Sequence, residues 1–248
     1  MKAIRITLLL AVAAVLAAPV LADSVITMKS HSDPIMGQPA RDETTTTWVG
    51  KDRMARLGGD TSFIIRSDLK KLYIIDPVAK TYSELDLPVD MTKYFPPEMQ
   101  AQIGAMMQQM KMTAKITPTA EARKIGAWNT KLYKAEIANA MGMKLDIDMW
   151  VSKDLGIDAT AYRDLANSLQ GLQLGFEDVA KEMAKIDGIS VLTETTMSIM
   201  GNTMKSREEV VSAETKAAPA GTYDVPPGLT KETFNPMKGA QKAGGGEK

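Results

Sequence analysis

Five of the 18 methionines lie within residues 99–112 and are the side chains with the most distinctive chemistry in the chain. Thioether sulfurs are soft ligands that suit Cu(I), and they are also flexible, polarisable groups that adapt to irregular apolar partners. The cluster therefore has three interpretations: part of the core, a cover over an apolar ligand, or a copper site. The methionines are Met99, Met106, Met107, Met110 and Met112.

The spacing within this segment predicts a helix with one apolar side. Two prolines and a glutamate at residues 96–98 suit a helix start, because proline loses no hydrogen bond there and an acid favours the positive end. The opposite side consists largely of glutamines. We predict that the apolar stripe forms a lid over a ligand, with core packing and copper binding as alternatives. The stripe residues are Met99, Ile103, Met106, Met107 and Met110.

The other reactive side chains form no recognisable catalytic set. The chain has no cysteine, which excludes thiol nucleophiles, zinc–thiolate sites and redox pairs. Its one histidine, His31, is interpreted as a surface residue. Asp146 and Asp148 share a strand face with Lys144, which favours a solvated face over a carboxylate pair. Because nucleophile elbows, phosphate loops and dinucleotide motifs are also lacking, we expect no catalytic residues, no metal site, no cofactor and no enzymatic activity.

The first 22 residues resemble a cleavable signal peptide. Lys2 and Arg5 precede an uncharged run of residues 6–22 that ends in Val20-Leu21-Ala22. The run is shorter than the roughly 20 residues that a membrane span needs, which favours cleavage over the alternative, an uncleaved membrane anchor. We predict that the mature chain begins at Asp23 and that the protein is periplasmic.

The charge balance argues against a nucleic-acid partner. The chain has 30 basic and 30 acidic residues, and loss of residues 1–22 would leave 28 basic residues and a net charge of −2. The basic residues are scattered among acids, without the interleaved aromatics that nucleic-acid binding requires.

Short β-branched and apolar runs separated by turn residues predict a mostly β protein. From Ser24 to Asp86 little looks helical, and the continuous runs 63–65 and 72–75 predict strands covered on both faces. Further strands are predicted at the ranges 111–118, 128–138 and 143–152, and on both sides of a hairpin turn at Gly201-Asn202.

Two short helices are predicted after these strands, followed by segments with little left to bury. The first stripe contains Tyr162, Leu165, Leu169 and Leu172, and the second contains Phe176, Val179, Ala180, Met183 and Ile186. The composition of residues 213–221 is that of a linker, and residues 236–248 have that of a disordered tail. We predict one domain over residues 23–235.

Several local strings resemble a family of secreted bacterial proteins of unknown function. They are residues 48–56 (WVGKDRMAR), 63–65 (FII), 72–77 (LYIIDP) with 80–82 (KTY), 125–129 (IGAWN) and 150–154 (WVSKD). This family in turn distantly resembles the periplasmic carriers that move lipoproteins between membranes, the LolA/LolB-like superfamily. The resemblance covers roughly residues 24 to 211. Many relatives have a cysteine near the position of Asn129 or Thr130, which this chain lacks.

The resemblance implies an α+β, mostly β fold: a strongly curved antiparallel sheet, an unclosed barrel, with helices covering the concave face. Such a sheet can hold acyl chains. We therefore expect a non-enzymatic periplasmic carrier or sensor for a lipid, a lipoprotein acyl chain or another hydrophobic small molecule, with transient membrane contact. The alternative is a methionine-based copper-handling protein.

Overall fold

Twelve strands form one sheet in the computed structural model of the chain. The structure describes residues 22–34, 39–96, 98, 111–172, 175–199 and 201–236. The strands follow the order β12-β6-β5-β4-β3-β2-β1-β11-β10-β9-β8-β7, and every neighbouring pair is antiparallel except β12 with β6. No pairing within the described residues joins β7 to the β12 edge, so the sheet is an open one. The predicted unclosed barrel, mostly β, is confirmed.

The strand bounds are as follows: β1 Asp23–Ser32, β2 Arg41–Val49, β3 Arg53–Leu57, β4 Ser62–Arg66, β5 Lys71–Asp76, β6 Thr81–Asp86, β7 Met112–Ile125, β8 Trp128–Asn139, β9 Lys144–Ser152, β10 Ile189–Ile199, β11 Asn202–Lys216 and β12 Thr230–Lys231. Two α-helices, α1 Ala159–Asn167 and α2 Glu177–Met183, lie between β9 and β10. Short 3-10 helices occupy Ser67–Leu69, Met91–Tyr94 and Gln170–Leu172.

Both helices pack on the same face of the sheet, which we call the inner face. The Asp158 carboxylate starts α1 by accepting hydrogen bonds from the amides of Thr160 and Ala161. Leu165 of α1 packs with the buried side chains of β2 to β6, and Val179 of α2 packs with those of β7 and β8. The prediction that helices cover the concave face is therefore confirmed.

The opposite, outer face of β1 to β6 is covered by the chain that follows β11. Tyr223 is buried there against Val25, Trp48 and Ile64. The Arg53 guanidinium lies 4.4 Å from the centre of the Tyr223 ring, a cation–π contact. Because Ile64 and Ile65 are both about 1% exposed on opposite faces, the prediction of strands covered on both sides holds here.

Three predicted boundaries are corrected by the pairing. β7 continues past Pro118 to Ile125, because it is an edge strand and proline need not donate on its open side. β11 extends to Lys216 and so takes up the first part of the predicted linker 213–221, because Lys216 pairs with Asp23 at the start of β1. Asn202 belongs to β11 rather than to the predicted turn Gly201-Asn202, since it pairs with Ile199, and Gly201 supplies the positive φ of 80°.

Among the described residues, no helix combines the length and the apolar character that crossing a membrane requires.

Candidate ligand-binding surface

At the end of the inner face where β1 begins, side chains of the sheet and of α1 form an apolar cluster, which we call the floor. Ile26 and Met28 of β1, Val191 of β10 and Val210 of β11 are all buried there. Tyr162 of α1 packs against this cluster and also against the Leu165 cluster. This floor closes the end of the inner face at which β1 begins.

Further along the strands, the inner face carries an ion pair that spans four strands. The Arg56 guanidinium on β3 lies 3.1 Å from the Glu208 carboxylate on β11, with β2 and β1 in between. Three strand spacings amount to about 14 Å along a flat sheet, so the two side chains meet because they lean together across a concave surface. The pair is one direct sign of the curvature.

The phenol of Tyr162 lies close enough to this ion pair to experience both charges. Burial raises the pKa of Tyr162, the Arg56 charge lowers it and the Glu208 charge raises it. The phenol therefore stays neutral near pH 7 and acts as a neutral boundary between the apolar floor and the charged pair.

Apolar side chains return on the inner face beyond the ion pair. Met197 of β10 and Met204 of β11 are cross-strand partners, and Met197 also pairs with Leu145 of β9. Both methionines are half-buried, and neither belongs to the clusters that the described part of the chain builds around α1 and α2. Phe63, opposite Arg56, is also half-buried, but it packs against the Leu165 cluster. The surface at Met197 and Met204 is partly shielded without being packed into the core.

The outer face next to these residues carries paired charges. Asp148 accepts from Lys134 at 2.9 Å, and Asp146 lies 2.9 Å from Lys144, so the two aspartates have separate lysine partners. Arg207 bridges Glu194 and Glu209, both at 2.8 Å. These are solvated ion pairs of a strand face, not a converging carboxylate site.

His31 lies on the same outer face between two carboxylates. Its Nδ1 atom is 2.8 Å from Asp42, and its Nε2 atom is 3.7 Å from Asp33. The hydrogen bond to Asp42 is the main cause of a raised pKa for His31. Within the described residues, no group of three His, Asp or Glu side chains is arranged to hold a metal ion.

The predicted lid residues Met99, Ile103, Met106, Met107 and Met110 lie outside the described residues, as do residues 1–21 of the predicted signal peptide. Met112, the remaining methionine of the cluster, is buried at 1% exposure against Ile137 and Val179. It is a core side chain and is therefore not available as a copper ligand.

Clefts also occur elsewhere on the surface of the described residues. One cleft, of about 380 Å³, lies beside the end of α1 and is lined by apolar side chains such as Leu87 and Pro88 together with Lys70 and Ser168. Others lie around His31 and Arg207, about 280 Å³, and around Arg53 and Asp224, about 200 Å³. None of them brings together groups with a recognisable reaction chemistry.

A family model described as Domain of unknown function (DUF4412) matches residues 49–229. The match runs from the end of β2 to the segment that covers the outer face. The chain belongs to the DUF4412 family. The sequence resemblance to a family of unknown function is thereby confirmed. No curated protein matches this DUF4412 chain.

Solved structures similar to this DUF4412 chain include three proteins of low sequence identity. PNGF-II is 13% identical with a TM-score of 0.40, over 88% of this chain and 32% of that chain. A putative outer membrane lipoprotein-sorting protein domain from Vibrio parahaemolyticus is 8% identical with a TM-score of 0.31, over 82% and 90%. A DUF1329 family protein from Desulfovibrio piger ATCC 29098 is 9% identical with a TM-score of 0.32, over 84% and 91%.

The coverage differs between these neighbours. The DUF4412 chain spans about a third of the length of PNGF-II, whereas it spans nine-tenths of the other two. A putative lipoprotein-sorting domain is thus among the structural neighbours.

Proposed function

We propose that this DUF4412 chain is a non-enzymatic, periplasmic binding protein that holds a hydrophobic ligand, such as a lipid or an acyl chain, on the inner face of its sheet. The observation that carries the proposal is the half-buried apolar surface at Met197 and Met204, which the described clusters leave outside the core. Apolar surface of this kind on a concave face is where a small apolar ligand gains most from burial.

The composition of the inner face supports an adaptable site. Besides Met197 and Met204, it carries Met28, Met54 and Met149, each buried in the sheet. Methionine side chains have three rotatable bonds and a polarisable sulfur, so they follow the shape of different apolar partners. A carrier or sensor of acyl chains of varied length benefits from such a lining.

The localisation and the membrane contact of the proposal rest on the sequence. The signal-peptide features of residues 1–22 support export, and a carrier of lipids would contact a membrane only while loading or unloading. The absence of a recognisable reaction chemistry among the described residues supports a binding role.

The proposal is tested by the binding of a fluorescent fatty acid to two variants. Met197→Gln combined with Met204→Gln should lower the affinity about tenfold or more, since two apolar contacts would be replaced by polar groups. Val211→Gln, at a bulged and 47% exposed position on the same strand β11, is the matched control and should leave the affinity unchanged. Equal binding by both variants and the wild type would contradict an inner-face site.

A further inference from the structure

The inner face carries a band of polar side chains between its apolar floor and the Met197–Met204 pair. Two cross-strand rows form it: Ser30 of β1, Glu208 of β11 and Thr193 of β10 in one, and Ser32, Ser206 and Thr195 in the next. Arg56 joins the band through its ion pair with Glu208. We call these residues the polar band.

The polar band is more enclosed than the outer face of the same strands. Ser30, Thr195, Ser206 and Glu208 are all half-buried. Of their outward-pointing neighbours, Lys29, His31, Glu194, Lys205 and Arg207 are exposed, whereas Thr196 and Glu209 are half-buried. Because residues of one strand alternate between faces, the greater enclosure of the polar band reflects its place on the concave surface.

Part of the polar band has unused hydrogen-bonding capacity. The Thr193 hydroxyl is bonded to that of Ser190 at 2.8 Å. The hydroxyls of Ser30, Thr195 and Ser206 make no hydrogen bond to any described part of the protein. Each can both donate and accept, so together they suit a ligand group that also does both, such as a hydroxyl.

The charges of the polar band cancel each other. Arg56 is the one cation of the band and is already bound by Glu208 at 3.1 Å. A carboxylate or phosphate head group would have to separate this pair and would then lie beside the freed Glu208 carboxylate. An uncharged head group meets neither obstacle.

We propose that the inner face binds amphipathic molecules whose head group is uncharged and carries hydroxyls, with the head on the polar band and the apolar chain against Met197 and Met204. This inference rests on the proposed function and specifies its ligand class. The Arg56–Glu208 pair acts as a selectivity element, since it discriminates against anionic lipids of the same chain length.

Two ligands with the same acyl chain test this inference: 1-monooleoylglycerol, which is uncharged, and oleate at pH 8, which is anionic. We expect calorimetric titration of the delipidated protein to give about tenfold tighter binding of 1-monooleoylglycerol, since hydrogen bonds to charged groups are among the strongest a ligand must replace. Glu208→Gln frees Arg56 and should raise the affinity for oleate about tenfold, while 1-monooleoylglycerol changes by less than about threefold.

Glu194→Gln is the matched control, because Glu194 pairs with Arg207 at 2.8 Å on the outer face of the neighbouring strand. It should change neither affinity. Equal wild-type affinities for the two ligands, or the same response to both substitutions, would overturn the selectivity inference and leave the proposed function intact. If neither ligand binds the wild type at all, the proposed function itself fails.

Discussion

The hydroxyl of Thr47 is buried on the inner face between Ile26 and Arg56 and makes no hydrogen bond within the described part of the chain. A buried hydroxyl without a partner keeps its desolvation penalty of about 1–3 kcal/mol, with nothing to offset it. The Thr47 hydroxyl therefore makes the fold less stable than an apolar side chain of the same shape would.

Replacing Thr47 by valine should stabilise the protein, because valine has nearly the same shape and no polar atom to desolvate. We expect urea unfolding to show a gain of roughly 1 kcal/mol. Thr130→Val is the matched control: Thr130 is as buried as Thr47, and its hydroxyl donates to the Arg123 carbonyl at 2.7 Å. The control should lose roughly 1 kcal/mol. Equal losses in the two variants would show that Thr47 has a partner.

His31, the only histidine, gives a second prediction at the residue scale. The Asp42 hydrogen bond raises the pKa of His31 above its usual 6.5 in the folded chain. The protonated imidazole therefore stabilises the fold fully below about pH 6.5, and this contribution is lost as the pH rises through the raised pKa. An NMR titration should show the raised value, and Asp42→Asn should bring it down towards 6.5. An unchanged pKa in that variant would contradict the assignment.

The edge strand β7 shows how an element is protected from pairing with other chains. The Ile116 amide on its open side donates to the Glu182 carboxylate of α2, and the Met112 amide donates to the Gly175 carbonyl. Pro118 has no amide to offer. Edge strands are commonly shielded by covering segments and by proline in this way.

Glu182→Ala should expose the edge of β7, because the Ile116 amide would lose its acceptor. Hydrogen exchange at Ile116 should accelerate by about tenfold or more, in line with a lost hydrogen bond to a charged group. Glu177→Ala, at an exposed position of the same helix, is the control and should leave that amide unchanged. Similar exchange in both variants would mean that Glu182 does not protect the strand.

The segment around residues 97–110 remains a prediction from sequence. If its stripe covers an apolar ligand, replacing Ile103 and Met106 with glutamine should reduce fatty-acid binding while the melting temperature stays nearly constant. If the stripe is ordinary core, the same change should lower stability by several kcal/mol, as burying unsatisfied polar groups does. A large loss of stability with unaltered binding would contradict the lid.

Elements could be predicted from the sequence where the pattern is local. The alternation of Leu145, Ile147 and Met149 marks β9, and the helical spacing that includes Leu165 and Val179 marks α1 and α2. The end of β11 could not be predicted, since Lys216 is a strand residue only because Asp23 pairs with it from the other end of the chain.

The candidate site was even less predictable. Arg56 and Glu208 are 152 residues apart, and no local spacing connects them. The one available signal was that Arg56 shares its strand face with the apolar Met54, which marks a charge on an otherwise buried face. The inner-face role of Met197 and Met204 likewise depends on register, which long-range pairing sets.

In the whole molecule, the two faces of the open sheet carry different kinds of side chain. The inner face carries both helices, the polar band and the half-buried methionines, whereas the outer face carries ion pairs and the covering segment with Tyr223. A concave surface on which a neutral polar band adjoins half-buried methionines suits an amphipathic ligand. Exchange of such a ligand requires no reaction chemistry.

The start of the mature chain is also a property of the whole molecule. Asp23 begins β1, and its buried carboxylate accepts from the Ala218 amide at 3.3 Å. We predict an intact mass for the exported protein that corresponds to cleavage between Ala22 and Asp23. Retention of residues 1–22 would contradict the proposed cleavage and would indicate a membrane-anchored protein.

Native mass spectrometry of the protein, purified from the cell envelope without detergent, tests directly whether the inner face holds a hydrophobic ligand. We expect a bound species whose additional mass is that of a lipid with an uncharged head group, released on unfolding and lost in the Met197→Gln, Met204→Gln variant. Protein that is purified with bound copper or with no ligand, and that takes up no lipid when mixed with vesicles, would contradict the proposed function.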